Sequence, residues 1–199
     1  MGFSDILDLA GSIIIGGVIM LVLFRMNDAA VENVYNNGGE LSVQQSLAVV
    51  AKILEEDFRK IGYCADWKKI PDPSKSILLA DSTRIKFLTD IENDGNVDTI
   101  DYKLGPTTDL TNTPNPRDRL LYRVVNRVVK QEANLGITQF KLLYYDALGD
   151  TLDFPIAVPS QASTLEINVT VENTAGYNQR YTSAFWRQIR LIARNLKNR

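Results

Sequence analysis

Sixteen consecutive residues without a charge, Leu9 to Phe24, set the terms for everything else in this 199-residue chain. They are dominated by Ile, Leu and Val. As a helix they rise about 24 Å at ~1.5 Å per residue, a little short of the ~30 Å hydrocarbon core of a bilayer. Ile6 and Leu7 extend the apolar run only by taking in Asp8. The stretch therefore reads as a short single span, or as one covered in part by protein. Ser12 and Gly16 stand at small-xxx-small spacing with Gly11 and Gly17 beside them, which lets other helices approach the backbone closely. The plainer alternative is a lone lipid anchor whose glycines have no partner.

Composition narrows what the rest can do. Residues 1–39 read as anchor helix and stalk, and residues 40–199 as one globular domain of ordinary size. The net charge of −2, with scattered Lys and Arg, gives no footprint for nucleic acid. A single cysteine, Cys64, excludes an internal disulfide and any CxxC site. The absence of histidine removes Ser–His–Asp and Cys–His catalysis, HExxH zinc sites and most transition-metal chemistry. No catalytic residues stand out and no small-molecule substrate is implied, so the chain does not read as an enzyme. No Lys or Arg precedes the apolar run and no A-x-A site follows it, unlike a usual secretory signal. Arg25 alone, by the positive-inside rule, votes for a cytoplasmic C-terminal side.

The order of elements points to an α+β fold. Ser4 is placed to cap a first helix, with Asp5 and Asp8 near its positive end. Asn36-Asn37-Gly38-Gly39 is expected to break or kink it. Ser42 and Gln45 form a capping box for a second helix, with Val43, Leu47, Val50, Leu54, Phe58 and Ile61 on one face and Gly62 at its end. Beyond Gly62 the pattern is β. Strands are expected over Ile77–Leu79, Arg84–Leu88, Val97–Leu104, Leu120–Val125, Arg127–Gln131, Thr138–Tyr145 and Thr164–Glu172. A last one covers Tyr181–Ala193, where WRQIRLIARNL could also be helical. In Thr164–Glu172, Leu165, Ile167, Val169 and Val171 point inward and Glu166, Asn168, Thr170 and Glu172 outward. The expected architecture is a long N-terminal helix, half apolar anchor and half amphipathic, laid on an antiparallel sheet.

Three local patterns, in this order, resemble the minor pilins and pseudopilins of type IV pili and type II secretion systems. They are DFRKIGYCAD at Asp57–Asp66, then RIKFLTDIENDGNVDTIDYKLG at Arg84–Gly105 followed by LLYRVV at Leu120–Val125, and RLIARNL at Arg190–Leu196. The resemblance implies a pilin-like structural subunit in the inner membrane. Its β-domain would lie outside that membrane, contrary to the Arg25 vote, and its partners would be lipid and other pilin-like helices. The family carries a basic leader ending in Gly and a Glu at the fifth mature position. With Met1 as first mature residue, Asp5 takes that place and could neutralise a neighbour's terminal amine. With Met1 as initiator, which the Met-Gly start favours, cleavage after Gly2 puts Leu7 there. The alternative function is an unprocessed, single-span accessory subunit of a larger membrane complex, with the β-domain as docking module.

One further pattern bears on cofactors. Asp90, Glu92, Asp94, Gly95, Asn96, Asp98 and Asp101 fall at positions of a Ca²⁺-loop template that suit hard oxygen ligands. The competing reading is a hairpin turn built on Asn93-Asp94-Gly95-Asn96, which the flanking strands favour. Cys64 is expected to be a buried small apolar residue, and Trp67 and Trp186 core or interface aromatics.

Overall fold

The computed structural model describes residues 2–176 and 181–191. Helix α1 runs without interruption from Phe3 to Arg59, so the break expected at Asn36–Gly39 is not there, and Ser42 sits inside a helix instead of capping one. The reason is energetic. Ending and restarting a helix leaves four C=O and four N–H groups without intrahelical partners, whereas a helical glycine costs only about 1 kcal/mol relative to Ala. Gly39 also has a packing role. A Cβ built on it would stand 2.6 Å from Asn173 Nδ2, so the bare backbone lets the helix close on the sheet. Gly39 is the first buried residue of α1 among those described. Docking of α1 on the sheet thus begins at Gly39 among the described residues.

Among the described residues seven strands follow: β1 (Ile77–Ala80), β2 (Arg84–Thr89), β3 (Asp98–Leu104), β4 (Arg119–Val125), β5 (Val128–Tyr145), β6 (Thr164–Glu172) and β7 (Ser183–Leu191). They pair in sequence order as one antiparallel sheet. The two strands expected at Arg127–Gln131 and Thr138–Tyr145 are one strand, β5. Gly136 does not end it. It adopts φ 69°, and the partner of β4 jumps from Ala133 to Ile137 as β4 moves from Leu121 to Arg119, which is a bulge. Trp186–Leu191 is strand, not helix. Ile192 and Ala193, and the rest of the RLIARNL pattern after Leu191, lie outside the described residues.

The helical stripe forms the core as its spacing demands. Val43, Val50, Leu54, Phe58 and Ile61 are buried against Ile85, Phe87, Ile100, Tyr102, Phe140, Leu142, Ile167 and their neighbours, with Leu47 packed at the margin. Burial of each such side chain stabilises by roughly 1.5–3 kcal/mol. The helix lies against β5, β6 and β7, and at the start of its docked part Gly39 faces Asn173 and Thr182, which flank β6 and β7. At the other end Phe58 meets Phe87 edge-on at 5.6 Å and Tyr102 at 5.7 Å. Gly62, at φ 72°, then turns the chain, and its N–H donates to Leu88 O at 3.0 Å. The helix thus crosses the sheet obliquely from β7 towards β2.

One outward residue departs from expectation. Glu166 is only 2 % exposed. Tyr145 Oη, Asn168 Nδ2 and Arg187 donate to its carboxylate at 2.8–2.9 Å. Burial pushes its pKa up, but these donors outweigh it and hold the carboxyl below its usual range.

Candidate functional site

Among the described residues, the apolar segment Leu9–Phe24 of α1 is left uncovered by the rest of the fold. Ile13, Ile14, Ile15 and Leu21 are each more than half exposed, as are Leu23 and Phe24. By length and composition this is one candidate membrane-spanning helix. The sheet cannot hide it, because docking begins only at Gly39.

The distribution of charge around α1 is uneven. At 3.6 residues per turn, Arg25, Asp28, Glu32 and Glu40 fall on the side that carries the docking stripe. The opposite side passes through Leu9, Ser12, Gly16, Met20, Leu23, Asn27, Val31, Val34, Gly38, Leu41, Gln45 and Val49 without a charge. That neutral face is about 60 Å long at ~1.5 Å per residue, twice the ~30 Å core of a bilayer. Beyond the apolar span it leaves Val34 72 % and Leu41 65 % exposed.

The residues singled out for assembly do not all share this face. Ser12 and Gly16 lie on it, one turn apart. Gly17 is a quarter turn away, and Gly11 points to the docking side. A Cβ on Gly11, Gly16 or Gly17 would meet nothing within 4 Å, so the chain's own packing does not require these glycines. Ser12 Oγ donates to Asp8 O at 2.7 Å, a local back-bond that satisfies the hydroxyl within the helix. Asp5 lies in α1 on the Ser12 side, and its side chain lies outside the described residues.

What fixes the direction of the free helix is a buried ion cluster at the docked end. Asp57, 7 % exposed, receives a fork from Arg123, Nε to Oδ2 at 2.6 Å and Nη2 to Oδ1 at 2.9 Å. Tyr102 Oη donates to the same carboxylate. Register explains the meeting. Tyr102 and Arg123 are directly paired across β3 and β4, so both side chains leave the same face of the sheet, under α1. Burial, then the Asp57 charge, pushes the Tyr102 pKa well up, and the hydrogen bonds to Asp57 raise that of Arg123. The sequence supplied each member within a separate pattern but not their convergence. The one available signal was an Arg at an inward position of an otherwise apolar strand.

The Asp-rich loop does not assemble the calcium template. Asp90 is fully buried, and its carboxylate accepts from Ala65 N at 3.1 Å, Asp94 N at 3.1 Å and Gly95 N at 2.8 Å. Burial raises its pKa, and these backbone donors more than reverse the effect. Asp94 accepts from the backbone and side chain of Asn96, and Asp98 accepts from Ile91 N and Asn126 Nδ2. Asp101 turns away on β3 to a fork from Arg84. Glu92 and Asn96 are exposed at the rim. These oxygens are committed to organising the turn, in which Asn93 and Gly95 both take positive φ. Among the described residues no group of three or more Asp, Glu, Cys or His side chains is arranged to hold a metal. Cys64 is buried, its Sγ 3.9 Å from Asp90 Oδ2. Trp186 packs on the core, while Trp67 is 58 % exposed, so it is not a core residue.

No protein-family model matches the chain, and comparisons with curated proteins and with solved structures find no match either. Fold and geometry together define an α+β protein with one candidate membrane-spanning helix near its N-terminus.

Proposed function

We propose that this chain is a structural, pilin-like subunit, anchored in the inner membrane and assembled through α1 with further copies or related subunits into a filament or pseudopilus. The observation that carries the reading is the neutral face of α1, which continues about one bilayer thickness beyond the apolar span. Lipid can cover the first part of that face only. A parallel helix of the same kind, shifted along the axis, covers both parts. The role needs no catalytic residue, and the β-domain lies on the periplasmic or extracellular side.

Cysteine cross-linking tests assembly. In native membranes Val34→Cys and Leu41→Cys are expected to form disulfide-linked species containing this chain, while Glu32→Cys, on the docking side, is not. Cross-links to a different polypeptide alone would favour the accessory-subunit reading. Equal and negligible cross-linking at all three positions would remove helix assembly.

Orientation is tested separately at Leu148, which is 87 % exposed. Leu148→Cys is expected to react with a membrane-impermeant maleimide before the inner membrane is broken, with buried Cys64 silent. Labelling only after lysis would place the domain on the cytoplasmic side.

A further inference from the structure

The loop between β3 and β4 holds a carboxylate that the fold does not satisfy. Asp118 is 1 % exposed, and neither of its oxygens has a hydrogen-bond partner. An ionised carboxylate without compensation is among the most costly groups to bury. Its surroundings add more oxygen. Thr113 Oγ stands 3.2 Å from Leu110 O and 3.3 Å from Asn115 O, and the Asp118 N–H reaches Asn115 O at 3.2 Å. O–H···O bonds favour about 2.7–2.8 Å, and one hydroxyl proton cannot serve two carbonyls and a carboxylate. Separations near 3.3 Å are those of oxygens placed about a shared cation at ~2.4 Å, within the Ca²⁺ range.

The charge balance points the same way. Glu172 is the second carboxylate near Asp118, and the two repel. Arg117 does not relieve Asp118, because its guanidinium binds Glu172 Oε2 through Nε at 2.9 Å and Nη2 at 2.8 Å. Burial, together with Glu172, raises the Asp118 pKa against the Thr113 hydroxyl.

We propose that Asp118, with the Thr113 hydroxyl and the main-chain carbonyls of Leu110 and Asn115, holds a divalent cation, calcium in preference to magnesium. Carbonyl and hydroxyl ligands from a loop suit the flexible coordination of Ca²⁺ better than the strict octahedron of Mg²⁺. The site is distinct from the Asp90–Asp98 turn, whose carboxylates are occupied. Its position gives it a role. Asn115, fully buried, donates to Glu172 Oε2 at 3.0 Å and Asn173 O at 3.2 Å, and the Asn173 amide lies against Gly39. Filling the site tightens the corner where α1 leaves the sheet.

The test uses the full chain in detergent micelles, with thermal unfolding in chelator and in calcium, and calorimetric titration with CaCl₂. One Ca²⁺ per chain is expected. Calcium tenfold above the dissociation constant should raise the midpoint by about 3–6 °C. Asp118→Asn is isosteric and should abolish both effects. It should also unfold no lower than wild type in chelator, because the carboxylate it removes has no partner there. Asp94→Ala should retain both effects. Absence of binding to the wild type at millimolar calcium would overturn the proposal, as would binding that survives Asp118→Asn. So would a lower midpoint of Asp118→Asn in chelator, since Asp118 would then already have a partner.

Discussion

Asp57→Ala is expected to lower the stability of the folded domain by about 3–5 kcal/mol, the range for removing one partner of a buried ion pair. For a chain of this size that is a drop of about 6–20 °C in unfolding midpoint. The loss arises less from the missing attraction than from what remains. Without Asp57 the Arg123 guanidinium stays under α1 with its fork unmatched, and Tyr102 Oη loses the carboxylate to which it donates. The complementary change separates these contributions. Asp57→Leu combined with Arg123→Met replaces the pair by apolar groups of similar volume, and should recover most of the loss. The cycle Asp57→Ala, Arg123→Ala and the double variant should give strongly non-additive costs. Additive costs would show that the two side chains do not depend on each other. The measurement is urea or thermal unfolding of the full chain in micelles, followed by tryptophan fluorescence.

That cluster shows where sequence reasoning reaches and where it stops. Periodicity located the docking stripe from Val43 to Ile61 and the alternation in β6, because each depends on neighbours in the chain. It did not foresee continuity through Gly38-Gly39. Propensity weighs the local cost of two glycines, whereas the termini avoided on both sides and the fit of Gly39 against Asn173 are not local. The same limit split β5 at Gly136, where pairing with β4 continues across a bulge. Alternation placed Glu166 outward, and it is outward, but Tyr145, Asn168 and Arg187 cover it. These covering partners come from three strands. The Asp-rich turn meets a related limit. Residue types at template positions say nothing about whether backbone N–H groups already occupy the carboxylates. The small residues of the apolar run were legible as a set. Only the helical phase shows that Ser12 and Gly16 share the neutral face while Gly11 does not.

That face yields the second large effect. Val34→Glu together with Leu41→Glu is expected to weaken assembly by about a hundredfold or more while shifting the midpoint of the isolated chain by no more than about 2–4 °C. In a self-association face each new carboxylate meets its counterpart on the neighbouring helix, and such like-charge contacts cost several kcal/mol. Each ~1.4 kcal/mol is a factor of ten. The folded chain loses nothing comparable, because both side chains are largely exposed in it, and surface substitutions of this kind typically stay within about 0.5 kcal/mol. Asn36→Glu supplies the control. It adds a similar charge on the docking side, near Glu32 and Glu40, and should leave assembly close to wild type. The readout is the size distribution of the protein in native membranes after gentle extraction, with unfolding measured in parallel. If the Val34→Glu, Leu41→Glu chain assembles as the wild type does, the neutral face beyond the span has no helix against it. The apolar start is then a lipid anchor alone.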